Sequence, residues 1–197
     1  MGNSLQSRDD RLEHLDLKGF AALKVLVAGD FMLDEYLWGK VERISPEAPV
    51  AVVDIQRESR TLGGAGNVVN NLVALGAHVE VLGLVGDDHP ASVLKAELVR
   101  LGVGVAGLFT DPERRTSRKT RVMGDSQQMV RIDRESRAPA PPGLVAAAQE
   151  YLRTCLAGVH AVVLSDYAKG ILTPALLRYL IGQGKDRGLP VVVDPKG

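Results

Sequence analysis

The sequence predicts an α/β protein in which crossover helices cover a mostly parallel sheet and a small antiparallel β sheet forms a lid. Short β-branched segments alternate with longer helical patterns, and that alternation is typical of βαβ units. The strand segments are continuously apolar, as parallel strands buried on both faces are. The predicted strands of the main sheet are 24–30, 79–85, 103–109, 161–165 and 191–194, and the helices are 65–75, 91–101, 144–156 and 174–186.

The lid is predicted from two segments that break this alternation. Residues 36–56 read as two strands around a turn at 45–49, and residues 117–134 read as a hairpin around a turn at 124–126. Neither segment is followed by a helix, so neither fits a βαβ unit. We therefore predict a separate antiparallel sheet that projects from the main one. Ordinary surface hairpins without a role are the alternative.

The composition indicates a globular domain without a bulk charge. Of the 197 residues, 45% are apolar and 24% are charged, which is an ordinary globular balance. Lys plus Arg and Asp plus Glu number 24 each, so no overall field attracts nucleic acid or an anionic membrane. The single Cys155 is expected in the core, and the four scattered histidines predict no protein-held metal.

We divide the chain into a polar amino-terminal extension, residues 1–22, and one domain, residues 23–197. The extension has no apolar core, so it is expected to form neither a secretory signal nor a membrane span. A cytoplasmic protein is the resulting expectation.

Two nucleotide-binding patterns are excluded. No G-x-x-x-x-G-K-[ST] loop occurs in the sequence. Residues 102–107 match G-x-G-x-x-G, but they follow a helix and open a strand, the reverse of the order that a dinucleotide site requires. Gly102 is predicted to end the helix instead.

The first candidate for a binding site is the acidic segment 29–34, which directly follows the first strand and contains Asp30 and Asp34. Ligands of open α/β sheets lie beyond the carboxyl ends of the strands, and carboxylates there accept hydrogen bonds from the hydroxyl groups of a polyol. A turn aspartate without a ligand is the alternative.

The second candidate is the glycine-rich turn before the helix at 65–75. Gly63 and Gly64 permit a bend or a close approach of the backbone, and Asn67 in the first helical turn both donates and accepts hydrogen bonds. The two glycines also separate the lid from the main domain, so we expect them to serve as a hinge.

The acidic segment, the lid and the diglycine turn occur in the same order as in the ribokinase-like carbohydrate kinases, and residues 24–197 resemble that family. Five blocks of sequence look like the heptose 7-phosphate kinases within it. These blocks are GDFMLD at 29–34, RISPEAPV at 43–50, QQMVRID at 127–133, LSDYAKG at 164–170 and DPKG at 194–197.

The resemblance implies phosphoryl transfer from MgATP to the anomeric hydroxyl of D-glycero-β-D-manno-heptose 7-phosphate. The product would be the heptose 1,7-bisphosphate, a precursor in ADP-heptose and lipopolysaccharide core biosynthesis. By position, Asp34 and Asn67 are expected to bind sugar hydroxyls, and Gly63 and Gly64 to let the lid close. Lids of this family often pack against each other, so the apolar residues 50–53 imply a homodimer.

The phosphate that such a substrate carries needs fixed cations. The predicted cations are Arg43, Lys119, Arg121, Arg131 and Lys169. In strands, Lys119 and Arg121 share one face, as do Gln127, Arg131 and Asp133. Asp166 is a further candidate at a strand end. A solvated charged face is the alternative for each of these side chains.

The resemblance also implies parts that this sequence does not show. In the family, an Asn-x-x-Glu magnesium motif and a Gly-Ala-Gly-Asp segment with the catalytic aspartate follow the last strand, so the family's base is expected beyond Gly197. We therefore expect that the family's catalytic residue and its nucleotide-binding part are absent from these residues. Lys196 is the one candidate for a contact with the nucleotide. A kinase portion inactive by itself is one hypothesis. A non-catalytic module that binds a sugar phosphate or a partner, and a kinase for another sugar, are the others.

Overall fold

The computed structural model describes residues 17–196, in which a 3-10 helix at Leu17–Ala22 leads into the main sheet. The strands of this sheet are β1 at Lys24–Gly29, β4 at His78–Val85, β5 at Leu108–Thr110, β8 at Ala161–Ser165 and β9 at Val191–Asp194. They are all parallel and run in the order β5-β4-β1-β8-β9, so the predicted parallel sheet is confirmed. Most of the predicted extension, at residues 1–16, and the last residue of the predicted domain, Gly197, lie outside the described residues.

Four α-helices cover the two faces of this sheet. They are α1 at Ala65–Ala74, α2 at His89–Arg100, α3 at Pro142–Cys155 and α4 at Pro174–Arg187. Successive side chains of β1 point to opposite faces of the sheet, so this strand contributes to two hydrophobic cores. Val25 and Val27 pack with residues of α1 and α2 on one face. Leu26 and Ala28 pack with residues of α3 and α4 on the other. Cys155 lies buried in the second cluster, as predicted.

Two of the four helices begin at a capping side chain. Asp88 caps α2 by accepting the N–H of Ala91 at 3.0 Å, and Thr173 caps α4 through its hydroxyl. Gly102 follows the end of α2 with φ 76°, a conformation that favours glycine, and this confirms it as a helix terminator. None of the helices within residues 17–196 is long and apolar enough to cross a membrane.

The lid is a four-stranded sheet. Its strands are β2 at Phe31–Ile44, β3 at Ala51–Gly64, β6 at Ser117–Gly124 and β7 at Gln127–Arg134, in the order β3-β2-β6-β7. The β2–β3 and β6–β7 pairs are antiparallel, but β2 and β6 are parallel, so the predicted antiparallel lid is in fact mixed. β2 and β6 leave the carboxyl edge of the main sheet in the same direction, since β2 follows β1 and β6 follows β5.

Three strand predictions need correction, the first of which is that β3 continues past the predicted end at residue 56 to Gly64. β2 begins at Phe31 rather than at residue 36, so the acidic segment is the start of a lid strand and not a turn. β5 is only Leu108–Thr110, because the stretch before it contains Gly104 and Gly107 and glycines weaken a strand. Val103 is nevertheless buried in the core.

Candidate functional site

A cleft of about 380 Å³ lies where the lid meets the carboxyl edge of the main sheet. Six of the predicted site residues line it together, which are Asp34, Gly63, Gly64, Asn67, Lys119 and Arg121. The other lining residues are Met32, Tyr36, Thr61, Leu62 and Tyr167. A cavity of about 460 Å³ lies at the amino ends of β1 and β4, beside Lys24 and His78. The smaller cleft is the candidate site, because open α/β sheets bind ligands at the carboxyl edge.

Strand alternation and register put the polar groups of the lid on one face. Asp34 and Tyr36 are two residues apart on β2, so they project from the same side. Asp34 is opposite Lys119 on β6, and Tyr36 is opposite Arg121. The wall of the cleft is therefore a patch of alternating acidic, aromatic and basic side chains.

Asp34 and Arg121 form the closest ion pair of this wall. Nη1 of Arg121 donates to Oδ1 of Asp34 at 2.6 Å, and the Arg121 guanidinium lies 5.2 Å from the centre of the Tyr36 ring. The hydrogen bond to Asp34 raises the pKa of Arg121 above its usual range. Arg121 thus remains a fixed cation that holds the Asp34 carboxylate in place.

The two glycines have different structural requirements. A Cβ on Gly63 would collide with Oδ2 of Asp34, so this glycine leaves room for the carboxylate. Gly64 has φ 57° and ψ −131°, and it precedes the first residue of α1. Both glycines belong to the end of β3, so the predicted turn is the end of a lid strand, and a hinge there remains a prediction.

A second cationic cluster lies on the same face, further across the lid. Nε and Nη2 of Arg131 donate to Asp133 at 2.8 and 3.0 Å, and Nζ of Lys119 reaches Asp133 at 3.1 Å. The hydrogen bonds from Arg131 and then Lys119 lower the pKa of the Asp133 carboxyl. The two cations hold one carboxylate from two sides, the arrangement that suits an oxyanion.

Lys169 is not among the lining residues of the cleft. It is buried, and its Nζ is 2.6 Å from Oε2 of Glu135 just after β7. This contact, more than any other, lowers the pKa of the Glu135 carboxyl. The buried guanidinium of Arg114 donates to the carbonyl groups of Lys169 at 2.9 Å and Ala138 at 2.7 Å. These residues fasten the base of the lid to the loop after β8.

The remaining predicted side chains are not brought together by the structure. Arg43 is exposed toward the far end of β2, and Gln127 is exposed beside the turn between β6 and β7. Asp166 is half-buried and accepts the N–H of Ala168 at 2.8 Å.

The described carboxyl-terminal residues, up to Lys196, add no group to the cleft. Lys196, the candidate on the nucleotide side, is exposed beyond β9. Gly197 ends the DPKG block and lies outside the described residues. The expectation that the family's catalytic base follows Gly197 therefore stays a prediction.

Sequence reasoning missed Tyr36, Thr61 and Tyr167. Starting β2 at Phe31 would have placed Tyr36 on the same face as Asp34, and strand pairing then places Thr61 opposite Asp34. Tyr167 has no periodic signal, because the loop after β8 is irregular, but its place in the LSDYAKG block just beyond a strand end could have indicated it. Asp30, which we grouped with Asp34, is 3% exposed and lies outside the cleft lining.

Within residues 17–196 no group of three or more His, Cys, Asp or Glu side chains is arranged to hold a metal ion. The cleft offers hydrogen-bond acceptors, an amide and cations, which together suit a polyol that carries an anionic group.

The family model described as "pfkB family carbohydrate kinase" matches residues 22–197. The chain belongs to the pfkB family of carbohydrate kinases. Among its relatives, the bifunctional protein HldE of Citrifermentans bemidjiense is 51% identical over 176 residues, covering 89% of this chain and 36% of the relative. The bifunctional protein HldE of Geobacter metallireducens is 53% identical over 175 residues, with the same coverage. The pfkB-family chain therefore spans little more than a third of these relatives.

Solved structures show that this pfkB-family chain has the ribokinase-like fold. A carbohydrate kinase from Agrobacterium tumefaciens superposes with a TM-score of 0.64 at 21% identity, over 87% of this chain and 53% of that one. A ribokinase from Cryptococcus neoformans, solved in complex with ADP, gives a TM-score of 0.59 at 20% identity, over 88% and 50%.

Proposed function

We propose that the cleft binds D-glycero-β-D-manno-heptose 7-phosphate for ATP-dependent phosphorylation at its anomeric hydroxyl. The observation that carries the proposal is the convergence of Asp34 and Asn67 in one cleft whose lid wall bears Lys119 and Arg121. Relatives named HldE at about half identity support a heptose-phosphate kinase, and the five sequence blocks favour this sugar.

The sugar ring is proposed to lie over the start of α1. The Asp34 carboxylate accepts hydrogen bonds from hydroxyl groups, while the Asn67 amide both accepts and donates. Asn67 is exposed toward solvent, and Asp34 is half-buried. Asp34 can therefore accept a hydrogen bond from one hydroxyl group of the sugar, while Asn67 can donate to and accept from a neighbouring one, as a site selective for a polyol requires.

The 7-phosphate is proposed to lie against the lid. Lys119 and Arg131 already hold the Asp133 carboxylate through three contacts of 2.8 to 3.1 Å. A phosphate can take over these donors because it accepts the same bonds with a larger charge. Arg43 and Gln127 would join it only if the far end of the lid moved, and Lys169 is engaged by Glu135.

MgATP is the proposed phosphoryl donor, which also favours the cytoplasm as the place of action. The sequence has neither a Walker-type loop nor the Gly-Ala-Gly-Asp segment of the family. Phosphoryl transfer needs a positioned base and charge stabilisation around the transferred group. We therefore propose that these 197 residues alone transfer no phosphate.

A homodimer through the lid is a further part of the proposal. Large apolar side chains at the far end of the lid are exposed, among them Ile44 at 63%, Val50 at 56% and Val130 at 49%. Such a patch on a small sheet favours burial against a second copy.

The test is ADP release with heptose 7-phosphate, measured on the 197-residue chain and on a chain extended to the length of the HldE relatives. We expect turnover only with the extended chain and only with the sugar phosphate. Equal turnover by the short chain would refute the inactivity, and a preference for another sugar would favour a different carbohydrate kinase.

A further inference from the structure

Asp30 is a buried carboxylate that binds the backbone of the loop at 166–170. It directly follows β1 and is 3% exposed. Its Oδ2 accepts the N–H of Tyr167 at 2.8 Å and the N–H of Lys169 at 3.0 Å. Burial raises the pKa of Asp30, and the N–H groups of Lys169 and Tyr167 oppose that rise. Hydrogen bonds to an ionised acceptor are stronger than neutral ones, so this contact constrains the loop.

The loop that Asp30 binds has a strained residue at its centre. Ala168 has φ 52°, which is uncommon for a residue with a Cβ. Its own N–H donates to Asp166, and its two neighbours donate to Asp30. Strained backbone persists where the surrounding structure determines it, and it clusters at binding sites. The Asp30 carboxylate is the shared acceptor on both sides of the strained residue.

The main chain of Asp30 connects the same residue to the other side of the cleft. Its carbonyl accepts the N–H of Ala65 at 3.0 Å, and its N–H donates to the carbonyl of Ser165 at 3.1 Å. Ala65 is the first residue of α1, the helix that carries Asn67. Asp30 therefore joins the loop of Tyr167 and the helix of Asn67 at one point beneath the cleft.

We propose that Asp30 is a positioning residue that holds Tyr167 in the wall of the cleft, and that Tyr167 is a sugar-binding residue. Tyr167 lines the cleft with Asp34 and Asn67 and is 38% exposed. Its ring offers an apolar face to the carbon atoms of a sugar, and its hydroxyl both donates and accepts. The identity of the sugar in this inference rests on the proposed function.

The first readout, amide hydrogen exchange, needs no ligand. In Asp30→Ala, the amides of Tyr167 and Lys169 should exchange about tenfold to a hundredfold faster, because each loses a hydrogen bond to a charged acceptor. Asp30→Asn keeps a neutral acceptor, so its exchange rates should lie between those of the wild type and Asp30→Ala. The amide of the fully buried Val81 in β4, an inner strand of the main sheet, reports whether the variant is folded. Asp186→Ala, which alters an exposed carboxylate on α4, should change neither loop amide.

The second readout is the calorimetric affinity for heptose 7-phosphate. Asp30→Asn and Tyr167→Ala should each weaken it about tenfold, and the double variant should be no weaker than Tyr167→Ala, because both changes act through one side chain. Tyr167→Ala leaves the backbone bonds to Asp30 in place, so its loop exchange should stay that of the wild type.

Each contrary outcome has a distinct meaning. Unchanged exchange at Tyr167 and Lys169 in Asp30→Ala would overturn the contact itself. Faster exchange with undiminished affinity, or additive effects in the double variant, would overturn the positioning role. If the wild-type chain binds no heptose 7-phosphate, the proposed function fails and with it the sugar-binding role of Tyr167, while exchange still decides whether Asp30 holds the loop.

Discussion

Gly63 lies so close to Asp34 that a Cβ at position 63 would collide with the Asp34 Oδ2 atom. Oδ1 of the same carboxylate is 2.6 Å from Nη1 of Arg121. The carboxylate is therefore held between a cation on β6 and a glycine on β3. The position of the carboxylate therefore depends on the missing side chain at Gly63 as well as on the ion pair with Arg121.

We predict that Gly63→Ala weakens sugar binding by displacing the Asp34 carboxylate. The clash involves the end of a side chain, so the backbone fold should survive. Gly63→Ala and Asp34→Ala should each lower the affinity for heptose 7-phosphate about tenfold or more. The double variant should be no weaker than Asp34→Ala, since the clash has then gone. Additive losses by calorimetry would show that the two residues act separately.

A different result is expected at the neighbouring glycine. Gly64 has φ 57°, and a Cβ there would collide with the carbonyl oxygen of Asp30. Gly64→Ala should therefore destabilise the fold by roughly 1–3 kcal/mol. Denaturant unfolding of Gly63→Ala and Gly64→Ala gives the comparison, and equal stability of the two variants would contradict it.

The ion pair between Glu135 and Lys169 should stabilise the base of the lid in a pH-dependent way. Both side chains are largely buried, and Lys169→Met removes the shortest of three contacts to the Glu135 carboxylate, which Arg137 and Lys119 also approach, so it should cost about 1.5–3 kcal/mol. The folded-state pKa of Glu135 is lowered below its ordinary 4.5. The contribution is thus complete above about pH 4.5 and is lost as the pH falls through the lower, folded-state value.

Urea unfolding of the wild type and Lys169→Met at a series of pH values checks this linkage. The two stabilities should converge below pH 4.5. Glu150→Gln is the control, because Glu150 and its partner Arg153 are both about 70% exposed, and it should leave the stability nearly unchanged at every pH. A stability difference between wild type and Lys169→Met that is independent of pH would contradict the assignment.

The proposed dimer predicts a site-specific effect of charge at the far end of the lid. Val50→Glu should shift the sedimentation coefficient from dimer to monomer, since a charge is costly in an apolar interface. Val99→Glu is the matched control, because Val99 on α2 is 59% exposed and Val50 is 56% exposed. A wild-type chain that is monomeric at all concentrations would contradict the dimer.

The main sheet was predictable because its strands and helices have strong, separate periodicities. β8 and β9 begin and end where the apolar runs do. The lid was predicted from the missing helices, but its parallel β2–β6 pair depends on where both strands leave the sheet, which is tertiary information. The same limit applies to Tyr167, because an irregular loop held by the distant Asp30 carries no periodic signal.

In the candidate site, it was easier to predict which residues have suitable chemistry than which of them lie close together in space. Asp34 was predicted from its place after the first strand and Asn67 from the first turn of a helix, and both line the cleft. Arg43 was selected by its charge alone, yet the length of β2 carries it to the exposed far end of the lid. Lys169 was selected in the same way, and the structure pairs it with Glu135.

The most direct measurement is the calorimetric affinity of the 197-residue chain for heptose 7-phosphate, compared with heptose lacking the phosphate. We predict binding of the phosphorylated sugar that is at least about tenfold tighter, because only the phosphate engages the cations of the lid, and a loss of about tenfold or more in Asp34→Ala. Equal affinity for the two sugars, or undiminished affinity in Asp34→Ala, would contradict the assignment of this cleft as the sugar-phosphate site.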